Sequence, residues 1–441
     1  MTPKRNWKRI ALSVGGAAIV AAAGLGLWAG RTLDTSRSNV ADDKVALADV
    51  HITDQAAIRR GEYVMRMADC AACHNASAGV FTGGYPFETD FGTILSSNIT
   101  PDRQTGIGAM TERDFFNAVR HGQGSKGFLY PAMPYTAYAK LTDADMHDLW
   151  AYMSTVQPIP NKVDENGGMA FPFNIRLAMA GWNMLFYDRL PIAPTAGKSA
   201  EWERGRYLVD GGGHCSACHS PRNLLGAEKA SLYLHGGRVG SWHAPDLTGN
   251  PHVGLGKSSA QDIAEYLKTG GDKTAIAAGP MAEAVEHSLQ YLADRDLNAM
   301  AVYLKSLPAS DKPRPQPIAA DSQAMQRAAL RYEVNCSACH GVRGEGMGNM
   351  VPPFANNQGL QSDDASSAIT VMLVGGRASS TRLKPTGAGM PSFSWKMDDR
   401  QITETLDYVR NSWGNAAIPV RESDVAKMRK TLDATKNLPA N

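Results

Sequence analysis

All six cysteines of this 441-residue chain fall into three short motifs, each closed by a histidine: Cys70-Ala-Ala-Cys73-His74, Cys215-Ser-Ala-Cys218-His219 and Cys336-Ser-Ala-Cys339-His340. Two thiols separated by two residues, followed at once by an imidazole, form the attachment signature of c-type haem. The thiols bond to the vinyl groups at one edge of the porphyrin, and the adjacent histidine reaches the iron as proximal ligand. Other uses of the same residues fit less well. A thioredoxin-like pair needs a βαβ setting that none of the three has. A zinc site pairs two such half-motifs at short range, whereas the first cysteines here are 145 and 121 residues apart. Six cysteines would allow fifteen disulfide pairings, but no cysteine is left outside the motifs. The expectation is three covalently bound haems c, one for each of Cys70/Cys73/His74, Cys215/Cys218/His219 and Cys336/Cys339/His340.

Cytochromes c usually place a methionine opposite the histidine. After His219 the choice is between Met281 and Met300. Met300 lies in a helical pattern and reads as core, whereas Met281 follows Gly279-Pro280 in an expected loop. Before it, Met133 lies in Tyr130-Pro-Ala-Met133-Pro-Tyr135, and Met146 and Met153 fall on a later helix. In the last part Met390 lies in Gly389-Met390-Pro391, with Met347, Met350, Met372 and Met397 less suitably placed. A methionine is more often gap-filling than a ligand. Loop position, flanking proline and His-to-Met spacings of 59, 62 and 50 residues select Met133, Met281 and Met390 as axial ligands, paired with His74, His219 and His340.

The elements that must position these groups repeat along the chain. A helix should begin near Leu141, Leu292 and Met397, with acidic or hydroxyl residues in its first turn, and a tyrosine stands eleven residues on at Tyr152, Tyr303 and Tyr408. That aromatic should pack on the helix before each motif, which carries Tyr63, Tyr207 and Tyr332. Gly106-Ile-Gly108 and Gly254-Leu-Gly256 each lead, sixteen residues on, to a helix-ending glycine, Gly122 or Gly270. Helix, motif, Gly/Pro loop with methionine and terminal helix make the plan of a single-haem cytochrome c. The expected fold is therefore mainly α: three tandem single-haem (class I type) cytochrome c domains after an N-terminal transmembrane helix.

The expected boundaries are a basic flank and anchor at 1–35, domains at 51–160, 196–308 and 323–415, and a tail at 416–441. Linkers lie at 161–195 and, rich in proline, at 309–322. Lys4, Arg5, Lys8 and Arg9 precede 21 residues without a charge, from Ile10 to Gly30. That is long enough to span a bilayer, although Ala21-Ala-Ala23 offers a signal-cleavage site. Either way the basic flank stays cytoplasmic and the remainder is exported, which places the body on the periplasmic side of the inner membrane. The formal charge is only +2, from 45 basic and 43 acidic residues, too little for a nucleic-acid binder.

Beyond spacing, the residues resemble a known family: the triheme cytochrome c subunits of membrane-bound alcohol, aldehyde and sugar dehydrogenases. The resemblance rests on Arg60-Gly-Glu-Tyr63, Asn98-Ile-Thr-Pro-Asp102, Ala118-Val-Arg-His121-Gly122, Leu129-Tyr-Pro-Ala-Met133-Pro-Tyr135, Gly213-His-Cys215 and Trp413-Gly-Asn415. It implies an electron-transfer subunit, not itself the catalyst. Such a subunit takes electrons from a catalytic dehydrogenase subunit and passes them to ubiquinone, with a small third subunit and membrane lipid as further partners. The family's His and Met ligands fall on the residues chosen above. Many members carry a cleavable signal where this chain has a long apolar span, and the wider group also serves molybdenum hydroxylases.

Six-coordinate His/Met haem has no open position, so its chemistry is outer-sphere electron transfer. A peroxidase-type haem enzyme and a free carrier feeding an oxidase are the competing classes. Arg222 and Arg343 could pair with propionates, and His121 or His214 could hydrogen-bond near a haem. The run from Phe171 to Arg189 is apolar and aromatic with flanking arginines. It suits either a helix in the membrane interface or a linker helix packed between domains.

Overall fold

The computed structural model describes Gly24 and residues 44–188, 190–348 and 350–436. The first segment opens with α1 (Gln55–Met67), started by the Asp54 carboxylate, which accepts from the Ala56 and Ala57 amides. The motif turn α2 (Cys70–His74) follows, then a hairpin of β1 (Pro86–Thr89) and β2 (Gly92–Leu95). Next come α3 (Glu112–His121), the two-residue strands β3 (Gln123–Gly124) and β4 (Gly127–Phe128), α4 (Tyr135–Tyr138) and α5 (Asp143–Met153). The connection carries α6 (Ala178–Phe186).

The second segment repeats the order: α7 (Ala200–Tyr207), α8 (Ser216–His219), β5 (Gly237–Val239) with β6 (Trp242–Ala244), α9 (Ala260–Thr269), α10 (Pro280–His287) and α11 (Asp294–Lys305). The third has α12 (Gln323–Asn335), α13 (Ser337–His340), α14 (Gln358–Gln361), α15 (Ser366–Val374), β7 (Gly376–Arg377) with β8 (Gly389–Met390), α16 (Asp399–Asn411) and α17 (Glu422–Lys436). Helices thus dominate, and every sheet is a two-stranded hairpin.

In each segment the helix before the motif crosses the terminal helix: α1 on α5, α7 on α11, α12 on α16. The first two crossings depend on a glycine. A Cβ on Gly61 would stand 1.8 Å from the Asp148 carbonyl oxygen, and one on Gly205 would stand 1.9 Å from that of Ala299. The neighbouring arginine then fixes the first pair, since Arg60 grips Asp148 with two hydrogen bonds of 2.7 and 2.8 Å. We expect Gly61→Ala or Gly205→Ala to push these helices apart and lower stability by about 1–3 kcal/mol or more. A denaturation midpoint unchanged from that of the parent protein would show that the crossing does not need the glycine.

The shared middle element forms as its residues dictate. Helices α3 and α9 each start in a capping box, Thr111 with Asp114 and Ser259 with Asp262, and end at Gly122 and Gly270 in the left-handed region. The terminal tyrosines pack on the helix before each motif as expected: Tyr408 on Tyr332 of α12 with ring centroids 5.5 Å apart, Tyr303 on Trp202 of α7 at 5.1 Å, and Tyr152 against Gly61 of α1. Tyr63 and Tyr207 turn outward and cross to the other segment. The Tyr63 hydroxyl donates to Asp296 at 2.6 Å and accepts from the Ala293 amide at 3.1 Å. Reciprocally, the Tyr207 hydroxyl donates to Asp145 and accepts from the Thr142 amide at 3.1 Å. Each tyrosine therefore caps the first turn of the other segment's terminal helix. For α11 this replaces a missing cap, because its N-cap residue is Ala293.

Packing divides the described chain in two. One hydrophobic cluster runs through the first and second segments, from Leu47, Val64 and Leu149 to Val285 and Leu304. A separate one holds Ile369, Ile402 and Leu406 of the third segment with Val420, Val425 and Met428. Residues 416–436, expected as a polar tail, thus contribute apolar side chains of α17 to that third cluster. The proline-rich connector is extended and tied at both ends: Asn250 donates to the Ser310 and Lys312 carbonyls, and Arg314 to that of Gly414.

Two expectations concern the membrane. Among the described residues no helix is long and apolar enough to cross one, and the expected span at 10–30 lies outside them apart from Gly24. In the run 171–189 the helix is only Ala178–Phe186. It lies on the first segment, where the buried Asn183 accepts from the Tyr135 hydroxyl at 2.5 Å and Tyr187 packs edge-on against Tyr135.

Candidate haem centres

Asp69, in a left-handed backbone conformation, separates α1 from the motif turn. Cys70, Cys73 and His74 then line a cavity of about 2220 Å³ together with Met133, larger than the about 300–1,000 Å³ of ordinary small-molecule sites. His74 Nδ1 lies 2.7 Å from the Ser97 carbonyl. Donation to that carbonyl keeps the proton on Nδ1 and leaves the Nε2 lone pair free, which is how a metal-binding imidazole is oriented. Burial lowers the His74 pKa and so favours the neutral ring. Met133 sits in a turn fixed by two backbone bonds, to the Tyr130 carbonyl at 3.0 Å and from the Tyr135 amide at 2.8 Å.

The second centre is built alike, with one residue more. Gly205 precedes Cys215 by ten positions where Gly61 precedes Cys70 by nine. A π turn at Leu208–Gly212 absorbs the extra residue. His219 Nδ1 lies 2.7 Å from the Pro245 carbonyl, the counterpart of Ser97, and burial pushes its pKa down to about 4. Met281 is not in a loop as expected but in the first turn of α10, because Pro280 suits the first helical position.

The third centre opens onto the same cavity as the second. Cys215, Cys218, His219, Met281, Cys336, Cys339, His340 and Met390 all line a space of about 1950 Å³. Met390 lies in β8, paired with Gly376. His340 is oriented differently from its counterparts: it stacks on Phe354 with centroids 4.4 Å apart, and Phe354 stacks on Trp413. Its Nδ1 has no hydrogen-bond partner among the described residues.

All six thiols are free. Burial pushes Cys70 and Cys215 up to about 12 and Cys218 and Cys336 up to about 11, and it raises Cys73 as well. Thiol pairs half-buried except at Cys339, an imidazole with Nε2 free and a large cavity with a methionine on its wall fit a covalently held porphyrin.

The first two motifs abut. Asp69, Cys73 and Cys218 line both cavities, and the Met67 side chain lies where a Cβ of Gly212 would be. Between them Tyr138 donates to the Ala68 carbonyl at 2.5 Å and meets the His214 ring edge-on at 5.6 Å. His214 is buried, which lowers its pKa to about 4. His121 instead lies 3.0 Å from the Tyr187 hydroxyl. Arg222 donates to the Ala217 and Gly226 carbonyls, both at 2.7 Å, and so braces its own loop, while Arg343 is exposed beside Glu345.

Three half-buried groups on the cavity walls carry no motif in the sequence. Asp69 directly precedes the first motif, and burial, then the Glu283 charge, push its pKa well up. Trp242 packs where a side chain on Gly279 would be, beside the Met281 turn. His243 lines both cavities, its amide accepted by the Ser367 hydroxyl of the third segment at 2.9 Å. Position in a short strand was the only signal for the last two.

Comparison with known proteins agrees with this construction. The Cytochrome c family matches residues 202–308 and 326–413, and the family of cytochrome c oxidase, cbb3-type, subunit III matches residues 56–153. The chain is 40% identical over 407 residues to the gluconate 2-dehydrogenase cytochrome c subunit of Pantoea cypripedii, covering 87% of this chain and 92% of that one. It belongs to the cytochrome c subunits of quinone-linked dehydrogenase complexes. The alcohol dehydrogenase (quinone) cytochrome c subunit of Gluconacetobacter polyoxogenes is 37% identical, with 88% of this chain and 87% of that one aligned. The fructose dehydrogenase cytochrome subunit of Gluconobacter japonicus is 38% identical, with 84% and 82% aligned. As a cytochrome c subunit the chain binds haem c covalently and transfers electrons; the substrate chemistry belongs to a catalytic subunit.

Proposed function

We propose that this subunit carries three haems c and relays electrons through them from a catalytic dehydrogenase subunit to ubiquinone. Cys70 and Cys73, Cys215 and Cys218, and Cys336 and Cys339 hold the porphyrins, one in each of the domains 51–160, 196–308 and 323–415. His74 with Met133, His219 with Met281, and His340 with Met390 bind the irons. Bound haem supplies a one-electron couple, and a six-coordinate iron limits it to outer-sphere transfer. The Ser97 and Pro245 carbonyls orient the His74 and His219 imidazoles through Nδ1. The observation that carries this reading is the gathering of all three Cys-His-Met sets on two cavities that share Cys73 and Cys218.

The partner oxidises an alcohol or aldehyde group, consistent with the names of the relatives. Residues 10–30 anchor the chain in the cytoplasmic membrane with its body on the periplasmic side, in contact with lipid and a small third subunit. Detergent purification from native membranes should yield a complex with three haems c per copy of this chain by pyridine haemochrome assay. Adding the dehydrogenase's substrate should reduce those haems. Fewer than three haems, a high-spin ferric signal with peroxide turnover by the isolated chain, or copurification with an oxidase and no dehydrogenase would contradict the reading.

A further inference from the structure

The outer face of α6 and the loop beside it form an apolar surface that the electron-transfer role leaves unused. Leu224 is 97% exposed, Phe171 79%, Leu177 68% and Leu185 64%. These side chains belong to one continuous patch. The Trp182 indole donates to the Leu225 carbonyl at 2.9 Å, Phe91 stacks on Phe173 at 4.9 Å, and a Cβ on Gly226 would meet Phe91. The opposite face of α6 is held down by Asn183, which fixes the orientation of the exposed one.

We propose that this patch lies in the bilayer interface and turns the mouth of the first haem cavity toward the lipid. Three observations favour lipid as the occupant. First, residues 171–187 and 220–227 contain no acidic residue, and the edge charges balance, Arg222 and Lys229 against Asp188 and Glu228. Aromatic and aliphatic side chains with little net charge around them are what the acyl boundary accepts. Second, only residues 31–43 separate the uncharged stretch 10–30 from the body at Lys44. Thirteen residues reach at most about 45 Å, so a chain anchored there keeps its body against the membrane. Third, Trp182, Leu185, Phe186 and Leu225 also line the cavity that holds His74 and Met133. The apolar surface therefore continues into a redox site, which suits exchange with a lipid-soluble quinone.

This inference rests on the membrane anchor proposed above, and its test separates the two. In native membranes carrying the assembled complex, Leu185, Leu224 and, as a water-facing reference, Asp321 are each replaced by the photo-crosslinking residue p-benzoylphenylalanine. An unchanged haem spectrum establishes that each variant is folded. After irradiation, mass spectrometry of the labelled peptides should find phospholipid adducts at positions 185 and 224, several-fold above position 321. Crosslinks to another polypeptide, or no excess over position 321 in a chain that resists alkaline washing, would overturn the interfacial patch alone. A chain that washes off the membrane would overturn the anchor together with the patch.

Discussion

Replacing Cys215 and Cys218 together by alanine should lower the haemochrome yield by one third and stop substrate-driven quinone reduction. The second centre shares most with both neighbours: Cys215, Cys218, His219 and Met281 all line the second cavity, whereas of the first centre's Cys, His and Met groups Cys73 alone does among the described residues. Cys218 shares the first cavity with Cys73, and Cys215 and Cys218 share the second with Cys336 and Cys339. Without the middle haem, an electron must cross the span between the outer two in one step, and outer-sphere transfer weakens steeply with distance. The outer haem beside the dehydrogenase should still bleach or reduce on substrate addition, so the signature is partial haem reduction without turnover. Full turnover by the variant would mean that the path bypasses the second centre.

The same variant reports on packing. An unfilled apolar cavity costs stability in proportion to its size, and the first and second segments share one hydrophobic cluster. Their unfolding transition should therefore drop as a unit, monitored through the remaining first haem. The third segment has its own cluster but lines the same cavity as the second, so its transition should drop less than that of the first two.

Asp296→Ala should destabilise the second segment and its joint with the first by about 2–4 kcal/mol in total, through the Arg204 pair within the segment and the Tyr63 bond across the joint. The carboxylate is buried and accepts from Arg204 at 3.0 and 2.6 Å and from Tyr63 at 2.6 Å. Removing one member of a fully buried pair costs roughly 3–5 kcal/mol, and the figure here is lower because Arg204 reaches water. Burial alone would raise the Asp296 pKa, but the Arg204 and Tyr63 hydrogen bonds outweigh it and leave the pKa below its ordinary value. A carboxyl depressed on folding stabilises the native state above the unfolded pKa of about 3.9 and loses that contribution as pH falls through the folded value. The parent protein should thus lose stability below about pH 4, and the variant should lose less over that interval. Identical acid-side slopes in the two proteins would remove Asp296 from the linkage.

The proposed haem-binding residues carry local signatures in the sequence. Cys-x-x-Cys-His is a one-turn motif, and the methionine candidates stand out because few side chains of that type fall in loops. Asp, Ser and Thr announce helix starts, and Gly122 and Gly270 announce helix ends. What escaped the sequence was contact between segments. Tyr63 and Asp296 are 233 positions apart, and no periodicity in either helix records that one will cap the other. Gly279-Pro280 before Met281 reads as a turn in the sequence, although proline in a first helical turn is equally natural. The apolar positions of α17 are spread among charged ones, so the helix looked like a tail until its partners Ile369 and Leu406 came into view.

The reciprocal tyrosine caps bear on how such a chain is divided or extended. Separating the first two segments at 161–195 would remove the Tyr63 hydroxyl from α11, which has no side-chain cap of its own, and the Tyr207 hydroxyl from α5, which keeps its Thr142 cap, and would split their common core. A cut within 309–322 separates the two hydrophobic clusters, but it opens the cavity that the second and third centres share. A foreign cytochrome module in place of residues 323–436 would therefore keep the joined core of the first two segments and would have to rebuild one wall of the second centre.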